Sequence, residues 1–578
     1  MEEKEISLSY RVAMPQPESH LFEVELRVSN WRENQLNLKM PVWTPGSYLI
    51  REYSRNVQNF QAYGRSKKPL QWRKLRKNHW LVFTEDCDDI MIKYQVYSNE
   101  LTVRTNHLDS THGFFNGAAL FFYIPNYEAH PITVTIFSPD NWRISTPLPA
   151  TKNKNTFLAE NFDTLVDSPF EIGVQEVYDF TVDDKPHQWV VWGRGNIDID
   201  RVIYDTKRII KTTAEIFGSL PYSEYKFILH LSGEGFGGLE HKNCCVLNYH
   251  RFGFRKPEKY YQFMQLVAHE FFHLWNVKRI RPKELEKFDY DQENYTTSLW
   301  FCEGATSYYD LLIPLRAGIY GVSRFLELLS KEISQYFNTP GRKIQSLSES
   351  SFDAWIKLYR QDAYSKNNQI SYYLKGELVT MLLDLLIRNN SDNRKSFDDV
   401  MRIMWQRFGR EEIGFTPEEL QGVIEEVANQ DLSEFLHLCL ETTTELPFNK
   451  YFEPFGLILE PKAEENNTPY LGINVQREGN VDRITFVDAN SPAGKGGICA
   501  GDELLAIDGF RVTAETLSDR LQDYQVGDWI ELTVFQKDIL KTVKVCLASP
   551  LGSYQVRIRK RLSQRQKENL RQWLGFVP

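Results

Sequence analysis

The chain has 578 residues, too many for one hydrophobic core, so several domains are expected. A hydrophobic content of 42% with 25% charged residues is that of a folded water-exposed protein, and a formal charge of −9 argues against a general nucleic-acid binder. No apolar run approaches the roughly 18 residues that span a bilayer. The start, Met-Glu-Glu-Lys-Glu-Ile, lacks the basic-then-apolar pattern of a secretory signal. The seven cysteines are scattered without Cys-x-x-Cys spacing, so a reducing cytoplasm is the expected location and neither a disulfide framework nor a thiolate zinc site is indicated.

From residue 5 to about 175 short alternating runs predominate, among them Ile6–Val12, Leu21–Val28 and Asp89–Val96, punctuated by Pro, Gly and Asn. Period-two patterning of this kind predicts an all-β domain, a sandwich or a saddle-like sheet, over residues 1–175. Further strands and a helix over Asp200–Phe217 follow. From residue 258 the period becomes helical, with helices expected over Glu258–Val277, Thr297–Ala317, Val322–Phe337, Ile370–Arg388, Phe397–Phe408 and Pro417–Val427. Residues 176–447 thus read as one α+β domain that is mainly helical after its sheet. Breaker-rich runs at 446–450 and 464–469 suggest linkers. A β domain over 455–550 and a tail over 551–578 complete the chain. In the tail Leu570, Trp573 and Leu574 fall on one helical face, which predicts packing against the body. The basic residues Arg557, Arg559, Lys560 and Arg561 are expected on a solvated helix rather than at a phosphate site.

Chemistry is concentrated at His269-Glu-Phe-Phe-His273. On a helix, positions i and i+4 share a face, so both imidazoles aim at one point and Glu270 flanks it. The chance of His-Glu-x-x-His arising somewhere in a chain of this composition is about 2 in 100. Two neutral histidines, a carboxylate and one open position form the ligand set of a catalytic zinc, one ion per chain, with Glu270 as general base.

The segment Trp300-Phe-Cys-Glu303-Gly-Ala resembles the helix that delivers the third ligand in gluzincin aminopeptidases. Glu293 competes with Glu303 for this role. Glu303 is preferred because it stands among apolar and small residues, where an unpaired carboxylate is costly. Gly237-Gly238-Leu239-Glu240 is similar to the edge strand whose Glu, in that group, holds the substrate's α-ammonium. Tyr373-Leu-Lys-Gly376 matches the motif that supplies the oxyanion-binding phenol, and Tyr372 remains its rival.

Taken with His269–Pro282, Leu299–Tyr309 and Met40–Arg51, these motifs resemble the glycyl aminopeptidase family of zinc metallopeptidases over nearly the whole chain. The resemblance implies an N-terminal β domain, a thermolysin-like catalytic domain and a C-terminal PDZ domain. It also implies peptide substrates with a free N-terminus and a preference for small first residues such as Gly and Ala. Ser491–Gly509 resembles the turn of bacterial-type PDZ domains, which makes Leu471, Gly472 and Ile473 the candidate groove for a peptide C-terminus. Two competing readings are a zinc endopeptidase or oligopeptidase, and a PDZ adaptor with a vestigial metal site. The residues imply neither a nucleic-acid nor a membrane partner.

Overall fold

The computed structural model describes residues 5–85, 87–462 and 468–575; the breaker-rich stretch 464–467 lies outside them. The chain forms two compact units. The first runs up to Thr296 and includes Leu312–Ile319 and Met401–Thr416; the second holds Thr297–Leu311, Tyr320–Val400 and the chain from Pro417 onward.

In the first unit the expected β region is present. A six-stranded sheet runs in the order Thr156–Ala159, Ile132–Phe137, Ser7–Ala13, Leu21–Ser29, Asp89–Tyr97, Val57–Tyr63. Leu21–Ser29 alternates strictly, burying Phe22, Val24, Leu26 and Val28 while its other residues face outward. That alternation fixes its register, because a one-residue slip would expose the whole apolar set. A three-stranded sheet (Gln35–Lys39, His79–Phe83, Trp72–Arg76) and a four-stranded one (Arg143–Ser145, Phe170–Gly173, His112–Phe115, His107–Leu108) accompany it.

The same unit carries a mixed five-stranded sheet in the order Glu176–Val182, Lys185–Trp192, Tyr225–Ser232, Cys244–His250, Gly237–Glu240. Its three middle strands run parallel, while Gly237–Glu240 lies antiparallel at one edge. Tyr225–Ser232 is buried over almost its whole length, as expected of a parallel strand covered on both faces. The helix Ile199–Phe217 starts where Asp198 accepts a hydrogen bond from the Arg201 amide and stops at Gly218.

The helix carrying the histidines spans Pro257–Phe272. It ends five residues before the expected Val277. His273 Nδ1 donates to the Asn276 carbonyl at 2.6 Å and Arg279 Nη1 to the Leu274 carbonyl at 2.8 Å. These side chains bond carbonyls just past the helix end and hold the chain in a turn, a local competition that periodicity does not register.

The second unit holds most of the remaining helices. Val322–Phe337 falls where expected, Tyr372–Asn390 is shifted by two residues and Pro417–Ala428 is one residue longer. The predicted Thr297–Ala317 helix is instead a π-helical turn, Trp300–Ala305, continued by the α-helix Thr306–Arg316. Residues 470–547 build a separate small core around Leu471, Ile484, Ile507, Leu532 and Val534. Its path of strands is Ile473–Glu478, Val481–Val487, Glu503–Ile507, Trp529–Gln536 and Ile539–Cys546, with short helices at Pro492–Lys495 and Leu517–Leu521. Asn367 ties this core to the helical part of the unit, donating to the Val487 carbonyl at 2.9 Å and accepting from the Ala489 amide at 3.0 Å.

The last helix, Gln564–Leu574, is opened by a Ser563/Gln566 capping box and buries Leu570, Trp573 and Leu574. The basic run does not lie on it. Arg557 stands on the strand Tyr554–Ile558 and pairs with Glu460 at 2.6 Å, while residues 559–561 precede the cap. Antiparallel pairing of that strand with Leu457–Pro461 overrides the helical expectation. The described cysteines are all free thiols, and no described helix is long and apolar enough to cross a membrane.

Candidate active site

The first unit supplies six of the predicted residues: Gly237, Gly238, Glu240, His269, Glu270 and His273. His269 and His273 sit one helical turn apart, their ring centroids separated by 4.6 Å at an interplanar angle of 86°. Because His273 Nδ1 donates to Asn276 O, its lone pair resides on Nε2. A metal-ligating histidine is commonly held this way, the backbone carbonyl fixing tautomer and ring together.

Glu270 is buried and lies directly under the edge strand. A Cβ on Gly238 would stand 2.3 Å from the Glu270 carboxylate, so the strand backbone can approach the carboxylate only because residue 238 is glycine. Arg104 Nη2 braces the strand from the other side, donating to the Gly238 carbonyl at 3.1 Å. Glu240, two residues on, is 3% exposed. A ligand atom from each of Glu240, Glu270 and His273 falls within 4.8 Å of the others. Oε1 of Glu240 is buried without a hydrogen-bond partner. A buried carboxylate oxygen left in this state calls for a cation or a donor from outside the chain.

A loop from the β domain completes this wall. Gly46, at φ +85°, packs so closely that a Cβ there would lie 2.5 Å from Glu240 Oε1. Trp43, Pro45, Gly46 and Tyr48 line a cavity of about 20 Å³ beside Glu240. Behind it, Asp167 accepts from Lys278 Nζ at 2.6 Å, from the Lys242 amide at 2.8 Å and from His241 Nδ1 at 3.2 Å. Burial alone would raise the Asp167 carboxyl; the Lys278 charge and the His241 bond outweigh it and hold the carboxyl well below the usual range. Neither the Gly46 contact nor Asp167 was legible beforehand, since each joins segments far apart in sequence.

The second unit supplies Glu303 and Tyr373. Glu303 is 2% exposed on the π-helical turn, whereas Glu293 is half-buried in a loop of the first unit. π-Helical turns cluster at functional sites because they push one side chain out of helical register. Gly304 meets Gly376 backbone to backbone; a Cβ at residue 304 would lie 2.5 Å from Gly376 carbonyl carbon. This contact sets the Glu303 turn against the helix that begins at Tyr372. Tyr373 is half-buried, its hydroxyl 3.3 Å from that of Tyr359. Burial first, and then the Glu303 charge, raise its phenol well above the ordinary range. Tyr372, stacked on it at 4.8 Å, is fully buried. Lys375 is buried too, its ammonium lowered to about 8 by desolvation and donating to Thr442 O at 3.1 Å.

A helix-borne histidine pair with an intervening buried carboxylate is the donor set of a metallopeptidase. Residues 9–174 match the Peptidase M61 N-terminal domain, and residues 262–379 match the M61 glycyl aminopeptidase family. An aminopeptidase N family protein from Idiomarina loihiensis is 30% identical, with 98% of this chain and 100% of that one covered and a TM-score of 0.92. The chain belongs to the M61 glycyl aminopeptidase family and is a zinc metallopeptidase. Fainter likenesses, each 13% identical, are to an M1 zinc metallopeptidase from Deinococcus radiodurans (76% of this chain, 94% of that one, TM-score 0.49) and to yeast LTA4 hydrolase in complex with bestatin (76% and 68%, TM-score 0.48). These two are too slight to carry an argument. No curated protein matches the chain.

Proposed function

We propose that the chain is an aminopeptidase in which His269, His273 and Glu303 hold one Zn²⁺ and Glu240 receives the substrate's N-terminal ammonium. The observation that carries this reading is the buried Glu240 oxygen without a partner, grouped with Glu270 and His273 beneath a glycine edge strand. The donor set fits zinc: two imidazoles, that of His273 with a fixed tautomer, and one carboxylate, with no thiolate. Zinc bound there supplies Lewis-acid polarisation of the scissile carbonyl and lowers the pKa of water toward 7.

The chain's own residues do the remainder. Glu270 accepts the proton of the attacking water and passes it to the leaving amine. The Tyr373 phenol, kept protonated by its surroundings, donates a hydrogen bond to the carbonyl oxygen as negative charge develops there. Glu240, with Gly237 and Gly238 beside it, holds the free N-terminus so that a single residue is released per event. A preference for Gly and Ala as first residues follows the match to the M61 glycyl aminopeptidase family.

We further propose that residues 470–547 are a PDZ domain whose groove begins at Leu471, Gly472 and Ile473. The separate core and the five-strand path with two short helices support this, as does the turn at Ser491–Gly509. Leu471 itself points into that core, so recognition would fall to backbone groups.

The test is metal analysis of the purified chain together with hydrolysis of Gly- and Ala-linked chromogenic amides and their N-acetylated forms. Zinc near one equivalent at the catalytic ligands, with cleavage of the free amides alone, is expected. Equal cleavage of the acetylated forms overturns the aminopeptidase reading.

A further inference from the structure

A second histidine cluster lies in the first unit, and the reaction above does not use it. His112 opens the strand His112–Phe115, Glu171 lies on its neighbour Phe170–Gly173, and His230 comes from the parallel strand Tyr225–Ser232 of the five-stranded sheet. All three are fully buried. One ligand atom from each falls within 4.8 Å of the others. His107 and Asp109 adjoin them, and a second group of ligand atoms (His107, Asp109, His112) meets the same spacing.

Three facts distinguish this cluster from an ordinary buried hydrogen-bond network. Both ring nitrogens of His112 are buried and lack a hydrogen-bond partner, as do His230 Nδ1 and Glu171 Oε1. The nearest group to His112 Nδ1 among the ion pairs, Asp109 Oδ1, stands 3.7 Å away. Among the described residues Glu171 and Asp109 pair with histidines and with no lysine or arginine, so two carboxylates lack a permanent cation. The His112 ring is also held in place, stacked on Trp192 with centroids 3.7 Å apart and planes at 20°. Leaving this many buried polar atoms unsatisfied is costly, and a dication removes most of that cost at once.

We propose that His112, Glu171 and His230 form a second site for one divalent transition-metal ion, additional to the His269/His273 pair. Two imidazoles and a carboxylate suit zinc, cobalt or nickel rather than calcium or magnesium. His230 Nε2 now lies 2.8 Å from Glu171 Oε2.

The probe is Co²⁺ titrated into the full chain carrying H269A and H273A, followed by its visible absorption and by stoichiometry. One equivalent is expected to remain, and adding E171Q or H112Q is expected to remove it while far-UV circular dichroism stays unchanged. No bound cobalt in the H269A/H273A chain overturns the proposal, as does an equivalent retained by both E171Q and H112Q. Should those variants fail to fold, anomalous scattering at the cobalt edge from H269A/H273A crystals decides. A peak between the three residues supports the site, and a peak elsewhere or none overturns it. The outcome is independent of whether the His269/His273 pair is catalytic.

Discussion

Gly238→Ala is the substitution whose effect follows most directly from geometry. Its new Cβ would stand 2.3 Å from the Glu270 carboxylate, against the 3.4 Å at which ordinary contact begins, so one partner must retreat by about 1.1 Å. The strand is pinned by its pairing to Leu247 and by the Arg104 bond to the Gly238 carbonyl, so Glu270 gives way. Displacing a catalytic group by about 1 Å costs on the order of 100-fold in rate. At about 1.36 kcal/mol per decade this is a barrier increase of about 2.7 kcal/mol. The assay is kcat on a Gly-linked amide, with metal content and Tm measured on the same sample. The companion Gly237→Ala separates clash from backbone strain. Its Cβ meets nothing within 4 Å, but φ of +142° disfavours any side chain, so it loses stability with a smaller fall in kcat. An unchanged kcat in Gly238→Ala, with Glu270 required and metal in place, would refute the reasoning.

Four other outcomes are expected. Glu270→Gln retains zinc and loses about 10²–10⁴-fold in kcat, checked by metal analysis beside steady-state rates. Glu240→Ala lowers kcat/KM for free N-termini by about 10–100-fold, the worth of a charged hydrogen bond, and leaves any cleavage of N-acetylated substrates unaffected. Tyr373→Phe lowers kcat by about 10²–10³-fold with little change in KM, because its hydrogen bond forms only as charge develops. Glu332, raised to about 7 by burial and by the neighbouring Asp310, resists ionisation in the folded chain. A carboxyl raised in this way binds its proton more tightly folded than unfolded. Its contribution to stability is therefore full below about 4.5, the unfolded value, and falls as pH climbs to about 7. Thermal melts should show Glu332→Gln stabilising the chain at pH 8 and not at pH 4.

The parts of this site legible in the sequence are those whose chemistry is local. His269, Glu270 and His273 need only helical spacing, and Gly237–Glu240 needs only that glycines flank an acid at a strand edge. Glu303 was legible through its neighbours, since Trp300, Gly304 and Ala305 leave a carboxylate no solvent. The π-helical turn beneath it was not, because apolar periodicity is blind to one inserted residue. The early stop at Phe272 depends on His273 turning back to Asn276, a side-chain contact that propensity scales average away. Arg557–Arg561 misled because charge decorates strands and helices alike. The Gly46 contact and the His112–Glu171–His230 cluster each need segments from distant parts of the chain, and no spacing rule brings those together.

The helix Gln564–Leu574 bears on how firmly the Glu303 turn is held. Trp573 Nε1 donates to the Tyr308 hydroxyl at 2.9 Å, and that hydroxyl donates to Asp384 at 2.6 Å, where Arg388 also binds. Tyr308 lies five residues past Glu303, on the helix that continues its π-helical turn. Loss of Trp573 would therefore loosen the Tyr308 helix, and with it the support of the Glu303 turn, from a point 270 residues away in sequence.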